Sequence, residues 1–356
     1  MTCKFFNPGP TWVRPEILQE LARPVMGHRT PEFRDLYGGI LTNLKPLFGT
    51  TGDAFVVTSS GTGVMQAALE NCVGRRVLVT TCGAFSERWF AIAQSLGFEV
   101  DRLDAGWGKA VDPEALADHL VSRRTQYDAV TLTHNETSTG VTNDIAALAQ
   151  AVRDESAGTL VLVDAVSSLG GIPMRFDEWG IDVCLASVQK GLALPPGITV
   201  AAMSKAALER AKKVPYRGTY FDLVQYKEKA DDLTVPSTPS ISHFYALGAQ
   251  LDHIVRQEGL DARYERHRRM RDTTLQRSAK YAKAASDPTH ASCTVTALQP
   301  VKPPDVIRAE MKKRGYTLGG GYGEWKDTTF RIGHMGDIPL DDLNAMLDVL
   351  EEVALG

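Results

Sequence analysis

The sequence DVCLASVQKGLALPPG, residues 182–197, places a lysine directly behind a short apolar run. A run of this length is typical of a buried strand, so Lys190 is expected among small and apolar neighbours at the end of that strand. Removing an ammonium group from water is costly unless the group is paired or deprotonated. A desolvated lysine is a good amine nucleophile, and its commonest partner is the carbonyl group of a cofactor or substrate. On this stretch alone, a lysine that only extends its charge into water is an equally good interpretation.

A second apolar run, LVLVD at residues 160–164, ends in a carboxylate 26 residues before Lys190. An aspartate at the C-terminal end of a buried parallel strand lies where α/β enzymes bind their ligands. Pyridoxal phosphate needs such a partner, because a carboxylate keeps its ring nitrogen protonated and lets the ring withdraw electrons. Asp164 and Lys190 together therefore indicate a pyridoxal phosphate site. The alternative for Asp164 is a helix cap after the strand.

Three motifs then resemble those of a known enzyme family: VDAVSSLGG (163–171), SVQKGLALPPG (187–197) and FRIGHMGD (330–337). They make the chain similar to the class V, fold type I pyridoxal-phosphate aminotransferases, and most of all to the alanine–glyoxylate, serine–glyoxylate and serine–pyruvate group. The resemblance extends from NPGP at residues 7–10 to the last helix. It implies the fold type I architecture: a mostly parallel sheet of the seven-stranded type with helices on both faces, plus a small α+β domain at the C-terminus.

The order of strand and helix patterns predicts a similar α/β architecture without reference to any family. Apolar strand-like runs alternate with helical patterns at 54–58, 76–80, 98–100, 129–133 and 160–164. Strands that alternate with helices form a mostly parallel sheet covered on both faces.

The alternation loosens after residue 198. The segment 216–239 looks irregular, and a long helical stretch at 241–285 is interrupted near Gly259. We therefore expect three parts, an N-terminal arm (1–14), a large cofactor-binding domain (15–255) and a small C-terminal domain (256–356).

Composition excludes several functional classes. The 356 residues are 43% hydrophobic and 23% charged with a net charge of −4, which is ordinary for a globular protein and does not favour nucleic-acid binding. The five cysteines form no CxxC pair, which favours a reducing, cytoplasmic location without a disulfide framework or zinc site. No metal site is expected from the histidine spacing, and no apolar run predicts a membrane span or signal peptide. The basic cluster Arg263–Arg271 is interpreted as a solvated helix face.

The resemblance assigns the cofactor contacts. A turn of small and hydroxyl residues between a strand and a helix suits a phosphate, although such turns are common. Phe85 is expected to stack on the pyridine ring, with ordinary core packing as the alternative. Glu136 is expected to support the loop that carries Thr137. The full set implied is Ser60, Gly61, Thr62, Phe85, Thr137, Asp164, Val166, Gln189, Lys190 and, from the partner subunit, Thr238.

The resemblance also assigns the substrate contacts. Arg331 is expected to bind the α-carboxylate that amino and oxo acids share, because a guanidinium matches a carboxylate in two parallel hydrogen bonds. A surface salt bridge is the alternative for this arginine. Gly27 and His28 lie in a loop that is close to substrate in the family, and a plain surface turn is equally compatible with them. The glycine-rich segment 319–323 is expected to be flexible and to line the substrate pocket or move with it.

A homodimer with the site at the subunit interface is implied by the resemblance alone. Thr238 matches a family threonine that reaches the partner's cofactor phosphate. The tyrosine that often stands three residues earlier is replaced here by Val235, so this contact departs from the family pattern.

The predicted activity is a ping-pong transamination of the EC 2.6.1 type, from serine or alanine to glyoxylate or pyruvate. Lys190 is the catalytic residue. An aminotransferase for another donor, such as aspartate, is an alternative. A cysteine desulfurase or selenocysteine lyase would need a nucleophilic cysteine, and Cys293 is the candidate, although a buried structural thiol is the better interpretation. A non-catalytic scaffold is disfavoured by the intact lysine, aspartate and arginine, and a Rossmann dehydrogenase by the absence of GxGxxG.

Overall fold

The computed structural model describes residues 4–123 and 125–356, so Cys3 and the start of the expected arm lie outside the described residues. The strands are β1 (Lys4–Phe6), β2 (Asp53–Val57), β3 (Arg76–Thr81), β4 (Glu99–Asp104), β5 (Ala129–Thr133), β6 (Asn135–Glu136), β7 (Val141–Thr142), β8 (Leu160–Asp164), β9 (Val183–Ser187), β10 (Thr199–Met203), β11 (Ala282–Ala284), β12 (Val295–Pro300), β13 (Tyr316–Gly320) and β14 (Phe330–Gly333).

The helices are α1 (Pro15–Leu21), α2 (Pro31–Phe48), α3 (Gly61–Cys72), α4 (Ala84–Ser95), α5 (Pro113–Arg123), α6 (Ile145–Glu155), α7 (Lys205–Lys213), α8 (Leu223–Asp231), α9 (Ile241–Asp252), α10 (Leu260–Ser278), α11 (Pro304–Lys313) and α12 (Leu340–Leu355). A π-helical turn, His253–Glu258, separates α9 from α10.

Seven strands form the large sheet, in the order β2-β10-β9-β8-β5-β3-β4. All neighbours are parallel except β10, which runs antiparallel to both β2 and β9. The predicted mostly parallel sheet is therefore confirmed. Strands buried on both faces are near-continuous apolar runs, which is why β5, β8 and β9 are readable from the sequence.

The sheet brings the two motif strands together. β8 and β9 are parallel neighbours, with Asp164 opposite Leu185. Asp164 is the last residue of β8, and Lys190 follows β9 by three residues. Because the carboxyl ends of parallel strands meet at one edge, both side chains reach the same region of the molecule.

The region after residue 198 is more regular than the sequence predicts. β10 completes the sheet there, and α8 forms within the segment 216–239 that looked irregular. A single antiparallel strand breaks the strand–helix alternation on which the prediction rested. α8 is short and mostly polar on its exposed face, so its periodicity is weak.

A second sheet has the order β1-β13-β14-β12-β11 and is covered by α10, α11 and α12. Its apolar core is separate from that of the large sheet and includes Phe6 of the N-terminal arm. The arm is thus partly a strand, parallel to β13. The expected glycine-rich loop at 319–323 begins inside β13, where Gly319 and Gly320 pair with β14.

The long helical stretch is interrupted at Gly259, as expected, where the backbone adopts φ +82°. It ends at Ser278 rather than 285, because β11 begins at Ala282. The domain boundary near residue 255 stays a prediction. Among the described residues, none of the helices combines the length and apolar character that crossing a bilayer requires.

Candidate active site

A cavity of about 340 Å³ lies at the carboxyl ends of the central strands. It is lined by Gly9, Ser60, Gly61, Thr62, Met65, Phe85, Arg88, Asn135, Thr137, Asp164, Val166, Ser167, Ser187, Gln189 and Lys190. Eight of the residues expected in the cofactor site besides Lys190 therefore share one cavity with it.

Lys190 is held against the N-terminal arm. Its Nζ donates a hydrogen bond to the carbonyl oxygen of Pro8 over 2.5 Å. A Cβ atom on Gly9 would lie 2.4 Å from the same nitrogen, so only glycine fits there. Burial lowers the pKa of Lys190 to about 8, and the nearby charge of Arg331 acts in the same direction. A large fraction of this amine is thus unprotonated slightly above neutral pH.

Asp164 is buried at the end of β8. One carboxylate oxygen accepts a hydrogen bond from the backbone N–H of Val166 over 2.7 Å. The other oxygen has no donor among the described residues and is free to accept one from a ligand. Burial raises the pKa of Asp164 to about 6, so the carboxylate gains stability from a cation placed beside it.

An anion cradle forms where β2 leads into α3. Ser60 is the N-cap of α3, but its side chain makes no capping hydrogen bond and so remains available. Helix N-termini attract anions through their free N–H groups and their dipole. A Cβ atom on Gly61 would approach Val166 to 2.9 Å, so the close packing of this turn requires glycine.

Gln189 and Arg88 approach the cradle from other elements. The Gln189 side-chain oxygen accepts a hydrogen bond from Ser187, while its amide nitrogen has no acceptor in the described part of the chain. Arg88 Nη1 donates to the Thr62 hydroxyl over 3.0 Å. The cradle thus combines a helix N-terminus with an amide donor and a guanidinium.

Phe85 stands in the first turn of α4, and Glu136 fixes that turn. The Glu136 carboxylate accepts hydrogen bonds from the backbone N–H groups of Phe85 and Ser86 and from Ser138. This geometry agrees with the supporting role expected for Glu136. The Phe85 ring itself stacks on Tyr322, with ring centroids 5.5 Å apart.

Arg331 extends from β14 toward the cavity. Its Nε donates to the carbonyl oxygen of Gly320 and its Nη1 to that of Thr137, over 2.8 and 3.1 Å. Within the described chain it pairs with no carboxylate, and its Nη2 has no hydrogen-bond acceptor. Burial lowers the pKa of Arg331 to about 10. A buried guanidinium with spare donors is suited to a carboxylate ligand.

Thr137 is placed beside the cavity, but its hydroxyl already donates to Ser167 over 2.7 Å. In this arrangement its carbonyl orients Arg331, a connection that the sequence did not indicate.

Four expected residues do not line the cavity of their own chain, and one of them, Arg331, lies next to it with its charge close to Lys190. Thr238 is exposed, and Gly27 and His28 lie in a turn at the surface. Thr238 is assigned to the partner's cofactor, so its role stays a prediction, as do those of Gly27 and His28.

Several residues that line the cavity had no role assigned from the sequence, among them Arg88, and Tyr322 lies beside the cavity against Phe85. The Tyr322 ring lies between Phe85 and Arg331, with the Arg331 guanidinium carbon 5.5 Å from its centroid. The neighbouring glycine-rich pattern marked the segment, but the contacts of one aromatic ring in a loop depend on residues far away in the chain.

The basic cluster Arg263–Arg271 is only in part the solvated helix face that the sequence predicts, since Arg268 and Arg269 are exposed. Arg263 is fully buried, and His267 and Met270 on the same side of α10 are buried as well. The inner face of this helix is largely polar, so hydrophobic periodicity could not identify it.

The site therefore combines a desolvated amine, a buried carboxylate, an anion cradle and a guanidinium. The chain is similar to known proteins over nearly its whole length. The family model described as aminotransferase class-V matches residues 17–313. A protein named soluble hydrogenase, small subunit, from Synechococcus sp. is 36% identical over 97% of this chain and 91% of its own length.

The serine–glyoxylate aminotransferase of Methylorubrum extorquens is 34% identical over 94% of this chain and 86% of its own. The crystal structure of an aspartate aminotransferase of subgroup IV from Thermus thermophilus superposes with a TM-score of 0.91 at 30% identity, covering 99% of both chains. With matches of this extent, the chain belongs to the class V aminotransferase family and has its fold type I architecture.

Proposed function

We propose that this aminotransferase uses pyridoxal phosphate to move an amino group from serine or alanine to glyoxylate or pyruvate. The observation that carries the proposal is that Lys190 and Asp164 line one cavity. The two residues are the amine and the carboxylate that pyridoxal phosphate chemistry requires.

The residues present fit the cofactor. The cradle at Ser60 and Gly61 suits its phosphate, and the Gln189 amide has a donor to spare. The Asp164 oxygen that has no donor would accept a hydrogen bond from the ring N–H. Phe85 would stack on the cofactor ring after Arg88 or Tyr322 moves away from one face of the Phe85 ring. Lys190 would hold the cofactor covalently through its Nζ.

When bound, the cofactor supplies an electron sink that makes the Cα proton of an amino acid removable. The part of Lys190 is then to take that proton from Cα. An amine whose pKa lies near 8 is a good general base, because it is both available and basic at neutral pH. Asp164 holds the proton on the ring nitrogen.

Arg331 would bind the α-carboxylate of each substrate in turn. Amino acid and oxo acid share that carboxylate, so one guanidinium serves both half-reactions of a ping-pong cycle. The hydrogen bonds to Gly320 and Thr137 fix the guanidinium plane before substrate arrives, which reduces the entropic cost of binding.

The choice of donor rests on the names of two relatives and on the position of Tyr322. The name of the Methylorubrum relative supports serine and glyoxylate, and that of the Thermus protein supports aspartate as the alternative. We favour a small donor, because the Tyr322 ring stacks on Phe85 and lies 5.5 Å from the Arg331 guanidinium carbon, where it would hinder a long side chain. The hydrogenase name of the Synechococcus relative is not extended to this chain, whose cavity carries groups for amine and carboxylate chemistry.

A homodimer in the cytoplasm, with Thr238 reaching the partner's phosphate, completes the proposal. A desulfurase is not favoured. Cys293 lies outside the cavity, accepts a hydrogen bond from Arg271 over 3.3 Å, and burial raises the pKa of its thiol. A thiol in this environment is a poor nucleophile.

The test is to load the protein with pyridoxal phosphate and offer serine, alanine, aspartate and cysteine in turn, with glyoxylate as acceptor, or with pyruvate for every donor except alanine. We expect new amino acid and oxo acid products with serine or alanine. Lys190→Ala should abolish both turnover and the absorbance of covalently bound cofactor, whereas Lys205→Ala, at an exposed lysine, should retain them. Full activity of Lys190→Ala would refute the proposal, and sulfide release from cysteine would favour the desulfurase.

A further inference from the structure

Arg263 lies behind the cavity, fully buried in α10. Its Nε donates to the carbonyl oxygen of Gly170 over 2.8 Å, and its Nη2 donates to that of Gly191 over 2.7 Å. Gly170 ends the loop that follows Asp164, and Gly191 is the residue after Lys190. One guanidinium therefore bonds both loops that carry the candidate cofactor residues.

The two loops touch at the same point. A Cβ atom on Gly191 would lie 2.3 Å from the carbonyl oxygen of Leu169, and one on Gly170 would lie 3.1 Å from that of Gly191. Their backbones are thus packed at the closest distance that glycine permits. The Gly170 and Gly191 carbonyls have no other hydrogen-bond donor in the described chain. Without a cation between them, two buried acceptors would be unpaired.

The charge of Arg263 is fully balanced. Its Nη1 contacts the carboxylates of Glu258, over 2.6 Å, and Asp337, over 2.9 Å. These carboxylates orient the guanidinium, which leaves Nε and Nη2 directed at the two loops. The fork of a guanidinium spans both carbonyls, whereas the single ammonium of lysine does not.

One backbone hydrogen bond links each loop from this contact toward the residue that faces the cavity. Leu169 N–H bonds to the carbonyl of Ala165, next to Asp164, and Ala193 N–H bonds to that of Lys190. A displacement at Gly170 or Gly191 is therefore transmitted to the side chains that face the cavity.

We propose that Arg263 is a positioning residue that sets the separation of Lys190 and Asp164 by clamping the Gly170 and Gly191 carbonyls. The inference rests on the proposed use of these two residues to bind pyridoxal phosphate. Arg263 contacts neither cofactor nor substrate in this role.

Arg263→Lys is the test variant. It keeps the positive charge beside Glu258 and Asp337, but it cannot donate to both loop carbonyls at once. Arg266→Gln is the matched control. Arg266 lies on the same helix and shares Glu258, but its carbonyl partners, Gly336 and Ile338, belong to neither loop, so this substitution removes no hydrogen bond from the loops.

Two readouts do not depend on turnover. The first is the affinity of the cofactor-free protein for pyridoxal phosphate, followed by the absorbance of the Lys190 adduct. The second is the rate at which an amine-reactive reagent modifies Lys190 in the cofactor-free protein, quantified by peptide mass spectrometry. We expect Arg263→Lys to lose cofactor affinity by roughly tenfold or more and to label Lys190 faster, since lost hydrogen bonds to a charged group carry such an effect. Arg266→Gln should stay within about twofold of wild type in both readouts, as an interaction outside the clamp predicts.

Turnover adds a third criterion. Arg263→Lys should lower kcat while KM for the amino acid changes little, because Arg331 is untouched. Equal cofactor affinity, Lys190 labelling and kcat in Arg263→Lys and Arg266→Gln would overturn the proposal. If Arg263→Lys fails to fold, Glu258→Gln replaces it: that variant must lose more cofactor affinity than Arg266→Gln, and an equal loss again refutes the clamp.

The outcome also separates this inference from the function on which it rests. Wild-type protein that forms no Lys190 adduct with pyridoxal phosphate contradicts the proposed function. Wild-type protein that forms the adduct, together with an unaltered Arg263→Lys variant, contradicts the clamp alone.

Discussion

Arg331 and Arg263 are both buried arginines in the C-terminal third of the chain, yet their surroundings differ completely. All three guanidinium nitrogens of Arg263 contact acceptors, which are two backbone carbonyl oxygens and two carboxylates. Arg331 donates to two backbone carbonyls and pairs with no carboxylate among the described residues.

The difference distinguishes a structural charge from a binding charge. A buried ion with balanced partners holds its surroundings together, and removing it leaves its partners unpaired. A buried ion without a counter-charge reduces stability and gains most from a ligand that supplies one. We therefore expect changes at Arg263 to act first on stability and cofactor geometry, and changes at Arg331 to act on substrate.

The largest effect is expected for Arg263→Gln. Glu258 and Asp337 would lose a buried counter-charge, and the free energy of unfolding of the cofactor-free protein should fall by about 3–5 kcal/mol. Urea denaturation measures this change. The control is Arg268→Gln on the same helix, whose exposed pair with Glu265 should contribute less than about 1 kcal/mol. Equal losses in the two variants would show that Arg263 is not a structural charge.

Arg331→Gln is expected to give the opposite pattern. The free energy of unfolding should stay the same or rise, because the change removes a buried charge that forms no ion pair among the described residues. The loss of the charge partner for the substrate carboxylate should lower kcat/KM by about 3 kcal/mol, or more than a hundredfold. Arg269→Gln, at an exposed arginine of α10, is the control with unchanged kcat/KM. A destabilised but active Arg331→Gln variant would reverse the comparison.

The dependence of the free energy of unfolding on pH, in the acid range, also distinguishes the two arginines. Burial alone raises the pKa of Asp337, but the charge of Arg263 and hydrogen bonds from Gln250 and Arg14 outweigh it and hold the pKa below its usual value. A lowered folded-state pKa contributes stability that is complete above the unfolded pKa and is lost as pH falls through the folded pKa.

The stability difference between wild type and Asp337→Asn should therefore be largest near pH 6 and shrink as pH falls below about 4. Urea denaturation at several pH values gives the difference. Arg331 pairs with no carboxylate among the described residues. The stability difference between wild type and Arg331→Gln should therefore stay nearly constant between about pH 6 and pH 4. An Asp337→Asn difference that grows in acid would contradict the pairing with Arg263.

The smallest effect concerns the space beside Arg331. Truncating Tyr322 to alanine should raise kcat/KM for leucine relative to alanine as donor by roughly fivefold, or about 1 kcal/mol, since removing a contact in an apolar pocket changes selectivity by such amounts. Tyr322→Phe, which keeps the ring stacked on Phe85, should keep the wild-type ratio. An unchanged ratio in Tyr322→Ala would remove Tyr322 from the substrate pocket.

Most of the large sheet was predictable, because strands buried on both faces are continuous apolar runs. β5, β8 and β9 are of this kind, and the strand–helix alternation before residue 198 predicted their parallel arrangement. β10 was missed, since an antiparallel strand interrupts that alternation. The arm was expected to be irregular, and its pairing with β13 joins residues more than 300 positions apart.

The candidate site was predictable where motif and strand end coincide, as at Asp164 and Lys190. It was not predictable where a side chain acts through distant partners. Arg88 reaches Thr62 across two helices, and Tyr322 meets Phe85 from the other sheet. Thr137 was expected on the cofactor, but its hydroxyl bonds Ser167 and its carbonyl bonds Arg331.

The sequence by itself determined the α/β class, the strand ends that carry the amine and the carboxylate, and the arginine in FRIGHMGD, because these depend on local apolar runs and on the residue types that the chemistry needs. Only the tertiary structure decided which arginine is neutralised and which is left open. The environment of a charge is set by partners that the chain brings from afar, and Arg263 and Arg331 look alike until Glu258, Asp337, Gly170 and Gly191 are in place.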